Sequence, residues 1–127
     1  FSYFRGEEWR TQKETQRLLD KYFTTKPNGI PGNDDTGTMS AWAIFNMIGF
    51  YPDCPGLPEY TLTTPVFNKV TIRLDPKWYK EKELVIESNR TQPGTLYINK
   101  VLLNGKKFNQ TVSRMMNWFI VNVYYLI

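Results

Sequence analysis

Asp34 and Asp35 stand side by side in the stretch Gly29-Ile30-Pro31-Gly32-Asn33-Asp34-Asp35-Thr36-Gly37, the part of this chain best suited to chemistry. Adjacent like charges repel, and glycines give up backbone entropy on ordering, so the arrangement costs stability unless the acids serve a purpose. Carboxylates held in a turn can exchange protons with a bound molecule, accept hydrogen bonds from hydroxyls, or ligate a hard cation. A rigid element behind the turn is what such chemistry requires.

That element follows at once. Pro27, Gly29, Pro31 and Gly32 exclude regular structure before Asn33. Asn33, Asp34, Asp35 and Thr36 are all N-cap types, so a helix is expected to start among them. Apolar residues then recur at Met39, Trp42, Ala43, Phe45, Met47 and Ile48, and Gly49 supplies the stop before an extended Phe50-Tyr51-Pro52. Helix capping accounts for one of the two aspartates. It does not explain two acids and an Asn among four flanking Gly and Pro residues.

Upstream, residues 7–23 place Trp9, Leu18, Leu19, Tyr22 and Phe23 among charged positions, the pattern of an amphipathic helix. The two helices form a pair joined by the acidic turn. After Glu59 the character changes to strands. Lys69 to Leu74 alternates, Glu83 to Glu87 is β-prone, a run from Leu96 to Leu103 follows, and Asn104-Gly105 signals a type I′ hairpin before Lys106-Lys107-Phe108.

Composition narrows the function class. The chain has 127 residues, 16 basic and 12 acidic, for a net charge of +4. The bases are scattered and Lys80-Glu81-Lys82-Glu83 alternates in sign as in a solvated turn, which argues against a nucleic-acid face. No histidine is present and Cys54 is alone, so an internal disulfide, a Cys/His metal cluster and a His-based triad are excluded within the chain. Calcium, which takes oxygen ligands, is not. Aromatics make up 16% of the residues, a share that suits either a packed core or a sugar-binding surface. Core packing is expected for Trp42, Phe45 and Phe50, with Trp9, Trp78 and Trp118 open. Glu7, Glu8, Glu14, Glu81, Glu83 and Glu87 read as solvated surface charges. Asn89-Arg90-Thr91 and Asn109-Gln110-Thr111 match glycosylation sequons, a pattern frequent by chance.

Gly32-Asn33-Asp34-Asp35, Gly37-Thr38-Met39-Ser40-Ala41-Trp42 and Gly49-Phe50-Tyr51-Pro52 together resemble the signature of glycoside hydrolase family 92, the calcium-dependent exo-acting α-mannosidases. The likeness runs on through Cys54-Pro55-Gly56, Glu59-Tyr60 and Pro65 to Val70, and upstream through Tyr3-Phe4 and Trp9 to Lys13, covering roughly residues 1 to 108. It implies an α+β chain, the end of an α/α-toroid (a helical hairpin, residues 1–56) followed by an antiparallel β-sandwich portion (residues 57–127). It also implies an inverting hydrolysis of α-mannosidic bonds, α-1,2 foremost, in mannose-rich glycans. Inverting sites hold acid and base roughly 6.5–9.5 Å apart, too far for sequence neighbours. The resemblance therefore places both aspartates on the base side, with Asp35 as base and Asp34 as its partner, and Asn33 and Gly32 as substrate contacts. In relatives with acids one residue apart, Asn33 stands where a second Asp would. The general acid is missing from this chain, and the calcium ligands are not assigned by the resemblance, which lets Asn33 or Asp35 approach the ion through water. The resemblance thus implies a C-terminal piece of a longer polypeptide, inactive by itself, that needs the preceding part of the same protein, and a periplasmic or secreted address.

The run from Met115 to Ile127 departs from the family pattern. It is too short for a membrane span, which needs about 20 apolar residues. It reads as a terminal strand or as a stretch foreign to the fold, the second being favoured. Two other readings stand beside the enzyme: a non-catalytic carbohydrate-binding or accessory β-domain, and an interaction module with an aromatic surface.

Overall fold

A computed structural model of the chain describes residues 7–54, 56–57, 59–91, 94–108 and 122–127. It is an α+β arrangement. Helix α1 (Glu8–Tyr22) leads into a loop, a single 3-10 turn (Asp35–Gly37) and helix α2 (Thr38–Ile48). Among the described residues seven strands follow: β1 (Phe50–Tyr51), β2 (Thr61–Leu62), β3 (Lys69–Arg73), β4 (Glu83–Asn89), β5 (Lys100–Leu103), β6 (Lys106–Phe108) and β7 (Asn122–Leu126).

Helix α1 is amphipathic, but its buried stripe is more polar than its apolar residues suggest. Thr11, Gln12, Thr15 and Leu19 are buried, whereas Trp9 and Tyr22 remain exposed. Gln12 explains part of this. Its side-chain oxygen accepts the Ile98 N–H at 3.0 Å, fastening the helix to the segment before β5. Surface pairs Glu7–Arg10 and Glu14–Arg17 line the solvent side. Phe23, just past the helix, stacks on Trp42 of α2 with ring centroids 5.4 Å apart, and this links the two helices.

Helix α2 ends where Gly49 takes φ 116° and its N–H returns to the Phe45 carbonyl. The Gly49 carbonyl then accepts two bonds, from the Thr63 N–H at 2.9 Å and the Tyr125 hydroxyl at 2.8 Å. The end of α2 is thereby joined to both β regions.

Strands β1 and β2 form a short antiparallel ladder, and the other five make one sheet in the order β3-β4-β7-β5-β6. The sheet is antiparallel at three of its strand pairs, while β4 and β7 run parallel. Asn104 and Gly105 both have positive φ, 49° and 76°, as the type I′ hairpin between β5 and β6 requires. Residues Ile86, Val101, Val123, Tyr125 and Ile127 point to one face and form a single buried cluster with Phe50. Phe45 and Ile48 of α2 pack against that cluster, so helix and sheet share one core.

The favoured reading of the chain end is corrected here. Residues 122–126 are not foreign to the fold but form β7, hydrogen-bonded between β4 and β5, with Tyr125 fully buried. Their alternation of Val123, Tyr125 and Ile127 inward is the period-2 pattern that a sheet needs. Strand β5 is also shorter than the run from Leu96, starting only at Lys100. Tyr3, Phe4, Asn109 to Thr111 and Met115 to Val121, with Trp118, lie outside the described residues.

Candidate active site at the acidic turn

The turn before α2 is built from the backbone outward. The Gly37 N–H bonds to the Asp34 carbonyl at 2.5 Å, closing one 3-10 turn. Within it Thr36 adopts φ 55°, ψ 25°, and Gly37 follows at φ 83°. A β-branched residue in the left-handed region is unusual and strained. Because of this extra turn α2 begins at Thr38, later than the N-cap expected among residues 33 to 36.

The two aspartates end up in different surroundings. The Asp34 carboxylate takes both donors of Ser40: Oδ1 accepts the backbone N–H at 2.8 Å and Oδ2 the hydroxyl at 2.6 Å. Ser40 lies in the first turn of the helix, where backbone N–H groups lack intrahelical partners. Asp34 thus caps α2 from four residues before its first residue, Thr38. The Ser40 hydroxyl bond, and after it the Ser40 backbone bond, hold the Asp34 carboxyl below its ordinary range.

Asp35 is held by its backbone and open at its side chain. Its carbonyl accepts the Thr38 hydroxyl at 2.6 Å as well as the Thr38 N–H. Its carboxylate is exposed and has no hydrogen bond or ion pair among the described residues. Gly32 and Asn33 are exposed on the approach to the turn. The turn therefore brings all four residues singled out from the sequence onto one segment, with Asp34 engaged and Asp35 available.

Ser40, Thr38 and Thr36 are the residues whose parts were not foreseen. Ser40 stands six residues from Asp34, outside the three-residue spacing of the ordinary capping box, because a 3-10 turn intervenes. No spacing rule would have paired them. Among the other acids, Glu7, Glu14 and Glu87 lie in surface ion pairs with Arg10, Arg17 and Lys69.

Calcium takes six to eight oxygens. Asn33 and Asp35 offer two uncommitted oxygen-bearing side chains, and the described residues contain no group of three or more His, Cys, Asp or Glu that could hold an ion. These residues alone do not make a calcium site.

An α+β chain that presents one free carboxylate beside a clamped one at a helix entry is thus defined by structure. The chain belongs to glycosyl hydrolase family 92: the description of that family's catalytic domain matches residues 1–120. Among solved structures, a family GH92 alpha-mannosidase from Bacteroides thetaiotaomicron, determined with and without mannoimidazole, is similar. With mannoimidazole its TM-score is 0.79 at 30% identity, covering 94% of this chain and 15% of the mannosidase. A family GH92 inverting mannosidase from the same organism gives a TM-score of 0.75 at 32% identity, over 94% of this chain and 16% of that one. A protein of Arthroderma benhamiae described as an uncharacterized secreted glycosidase is 28% identical over 108 residues, which are 85% of this chain and 14% of its own length. The chain spans only 14% to 16% of the length of these relatives.

Proposed function

We infer that the polypeptide carrying this chain is an exo-acting, inverting α-mannosidase, a glycoside hydrolase in which Asp35 is the general base. One observation carries the assignment within the turn. Ser40 occupies both Asp34 oxygens, while the Asp35 carboxylate faces solvent on a turn backed by a helix. Family membership and the descriptions of two solved relatives as mannosidases, one of them inverting, support the substrate class and the stereochemistry.

In this reading Asp35 removes a proton from a water whose oxygen bonds to the anomeric carbon as the glycosidic C–O bond breaks. An acid from the rest of the polypeptide protonates the departing oxygen, and mannose leaves with its anomeric configuration inverted. Asn33 orients the water or a sugar hydroxyl without adding charge, and Gly32 leaves the approach open. Asp34 supports the base through the backbone. Residues 1–56 are the end of the toroid in this assignment and residues 57–127 the β-rich segment. Because acid and base belong to different parts of the polypeptide, the 127 residues alone are inactive.

Calcium belongs to this proposal through the family resemblance, with Asn33 and Asp35 supplying at most two of its oxygens and the rest of the polypeptide the others. The bound ion would contact sugar hydroxyls. α-1,2-Linked mannose-rich glycans, N-glycans included, are the proposed substrates. A secreted or periplasmic address accords with the description of the fungal relative. Among the described residues no helix is long and apolar enough to cross a membrane.

The test is release of mannose from α-1,2-mannobiose by the polypeptide that carries this chain, with proton NMR reporting the first anomer formed. Loss of a general base costs about 10²- to 10⁴-fold. Asp35→Asn is expected to lose that much, and the first-formed mannose to be the β anomer. EDTA is expected to abolish turnover and added calcium to restore it. Full turnover in Asp35→Asn would remove Asp35 from the role. Release of the α anomer would remove the inverting mechanism.

A further inference from the structure

Two hydroxyl groups of α2 hold the acidic turn at adjacent residues, one at the Asp34 carboxylate and one at the Asp35 carbonyl, and the Asp35 side chain stays exposed. Before Asp35, the Ser40 hydroxyl and N–H grip the Asp34 carboxylate at 2.6 and 2.8 Å. After it, the Thr38 hydroxyl binds the Asp35 carbonyl at 2.6 Å. Thr36, inside the loops that these bonds close, sits at φ 55°, a conformation its branched side chain disfavours. A strained residue persists only where its surroundings over-determine it, and here the two hydroxyls act beside the backbone bonds of Gly37, Thr38 and Ser40. Both hydroxyls belong to the first turn of a helix that is itself fixed, by the Phe23–Trp42 stack at one end and the bonds at Gly49 at the other.

We propose that Ser40 and Thr38 are positioning residues that fix the direction of the Asp35 carboxylate, Ser40 through Asp34 and Thr38 through the Asp35 carbonyl. The proposal rests on the reading of Asp35 as the base. Neither residue touches the reacting atoms. Without either hydroxyl the strained turn relaxes toward ordinary backbone angles and the carboxylate swings from its working direction. Displacements of about 1 Å at a reacting group cost up to ~100-fold in rate. Such a loss falls on kcat, because the sugar contacts made elsewhere in the polypeptide are untouched.

A helix cap with no part in catalysis would show the same two bonds, so the experiment must separate the cases. Ser40→Ala, Ser40→Thr, Thr38→Val, Thr38→Ser and Asp35→Asn are prepared in the polypeptide that carries this chain. Kinetics on α-1,2-mannobiose and hydrogen exchange of the peptide spanning residues 33–42 are measured for each. Ser40→Ala and Thr38→Val are expected to lower kcat by ~10- to ~100-fold with KM within about twofold. The hydroxyl-keeping variants should recover most of the loss, and exchange of the peptide should quicken in Ser40→Ala. Unchanged kcat in Ser40→Ala and Thr38→Val, with Asp35→Asn inactive, would overturn the proposal and leave only a cap. Should Asp35→Asn keep full turnover, the base reading falls and exchange alone judges the turn. The positioning role then falls with the base, and faster exchange in Ser40→Ala would mark the bonds as a cap alone.

Discussion

Replacing Gly49 by alanine tests the joint between helix and sheet. Gly49 has φ 116°, and a Cβ built there would lie 2.7 Å from Cγ of Pro65. Two penalties add. The left-handed backbone costs an L residue about 1–2 kcal/mol, and forcing a methyl into an occupied site costs about 1–3 kcal/mol more. Pro65 cannot easily retreat. It is fully buried, the Arg90 guanidinium donates to its carbonyl, and the next residue, Val66, donates its N–H to the Met47 carbonyl at 2.8 Å. The expected loss is about 2–5 kcal/mol, a large part of the ~5–15 kcal/mol that stabilises a domain. Gly37→Ala is the internal control. Gly37 also has positive φ, 83°, but a methyl group there would meet nothing within 4 Å, so only the backbone penalty of about 1–2 kcal/mol applies. Urea denaturation of the chain reads both values, with a slope of about 1–3 kcal/mol per molar. Gly49→Ala should shift the midpoint clearly further than Gly37→Ala. Equal shifts would refute the steric argument and leave backbone strain as the whole effect.

Tyr125→Phe removes the hydroxyl that reaches the Gly49 carbonyl, but the Thr63 N–H remains bonded there, so the loss should be only about 1 kcal/mol by urea denaturation. Burial raises the Tyr125 pKa, so its contribution is complete below the ordinary tyrosine value of about 10 and declines above it. Absorbance at alkaline pH should show this phenol ionising only with unfolding. The Asp34 carboxyl is shifted the other way, below its ordinary value of about 3.9, chiefly by the Ser40 hydroxyl. Its contribution is present above that value and disappears as pH falls through the lowered folded one. Thermal midpoints of wild type and Ser40→Ala should therefore differ near pH ~6 and converge in stronger acid; a constant difference down to the acid limit would contradict the assignment.

Much of the fold is legible from local rules. The stop at Gly49, the Asn104-Gly105 turn and the alternating run from Lys69 each follow from a backbone preference or a side-chain period carried within a few residues. Long-range pairing was less so. The β7 strand lies between β4 and β5, next to neighbours from which it is separated in sequence, and its alternation alone does not reveal that position. The polar stripe on α1 is similar: Gln12 is buried because Ile98, 86 residues away, supplies its partner.

The sequence by itself determined that two acids stand in a glycine-rich turn at the mouth of a helix, and which family that turn resembles. It did not distinguish the two acids, because neighbours in sequence share the same local propensities. Only the folded backbone separates them. Two successive left-handed residues, Thr36 and Gly37, turn the chain so that the Asp34 carboxylate meets Ser40 while that of Asp35 stays exposed. A hydrogen bond depends on distance and angle, and these are set when the turn closes, not when the residues are ordered along the chain.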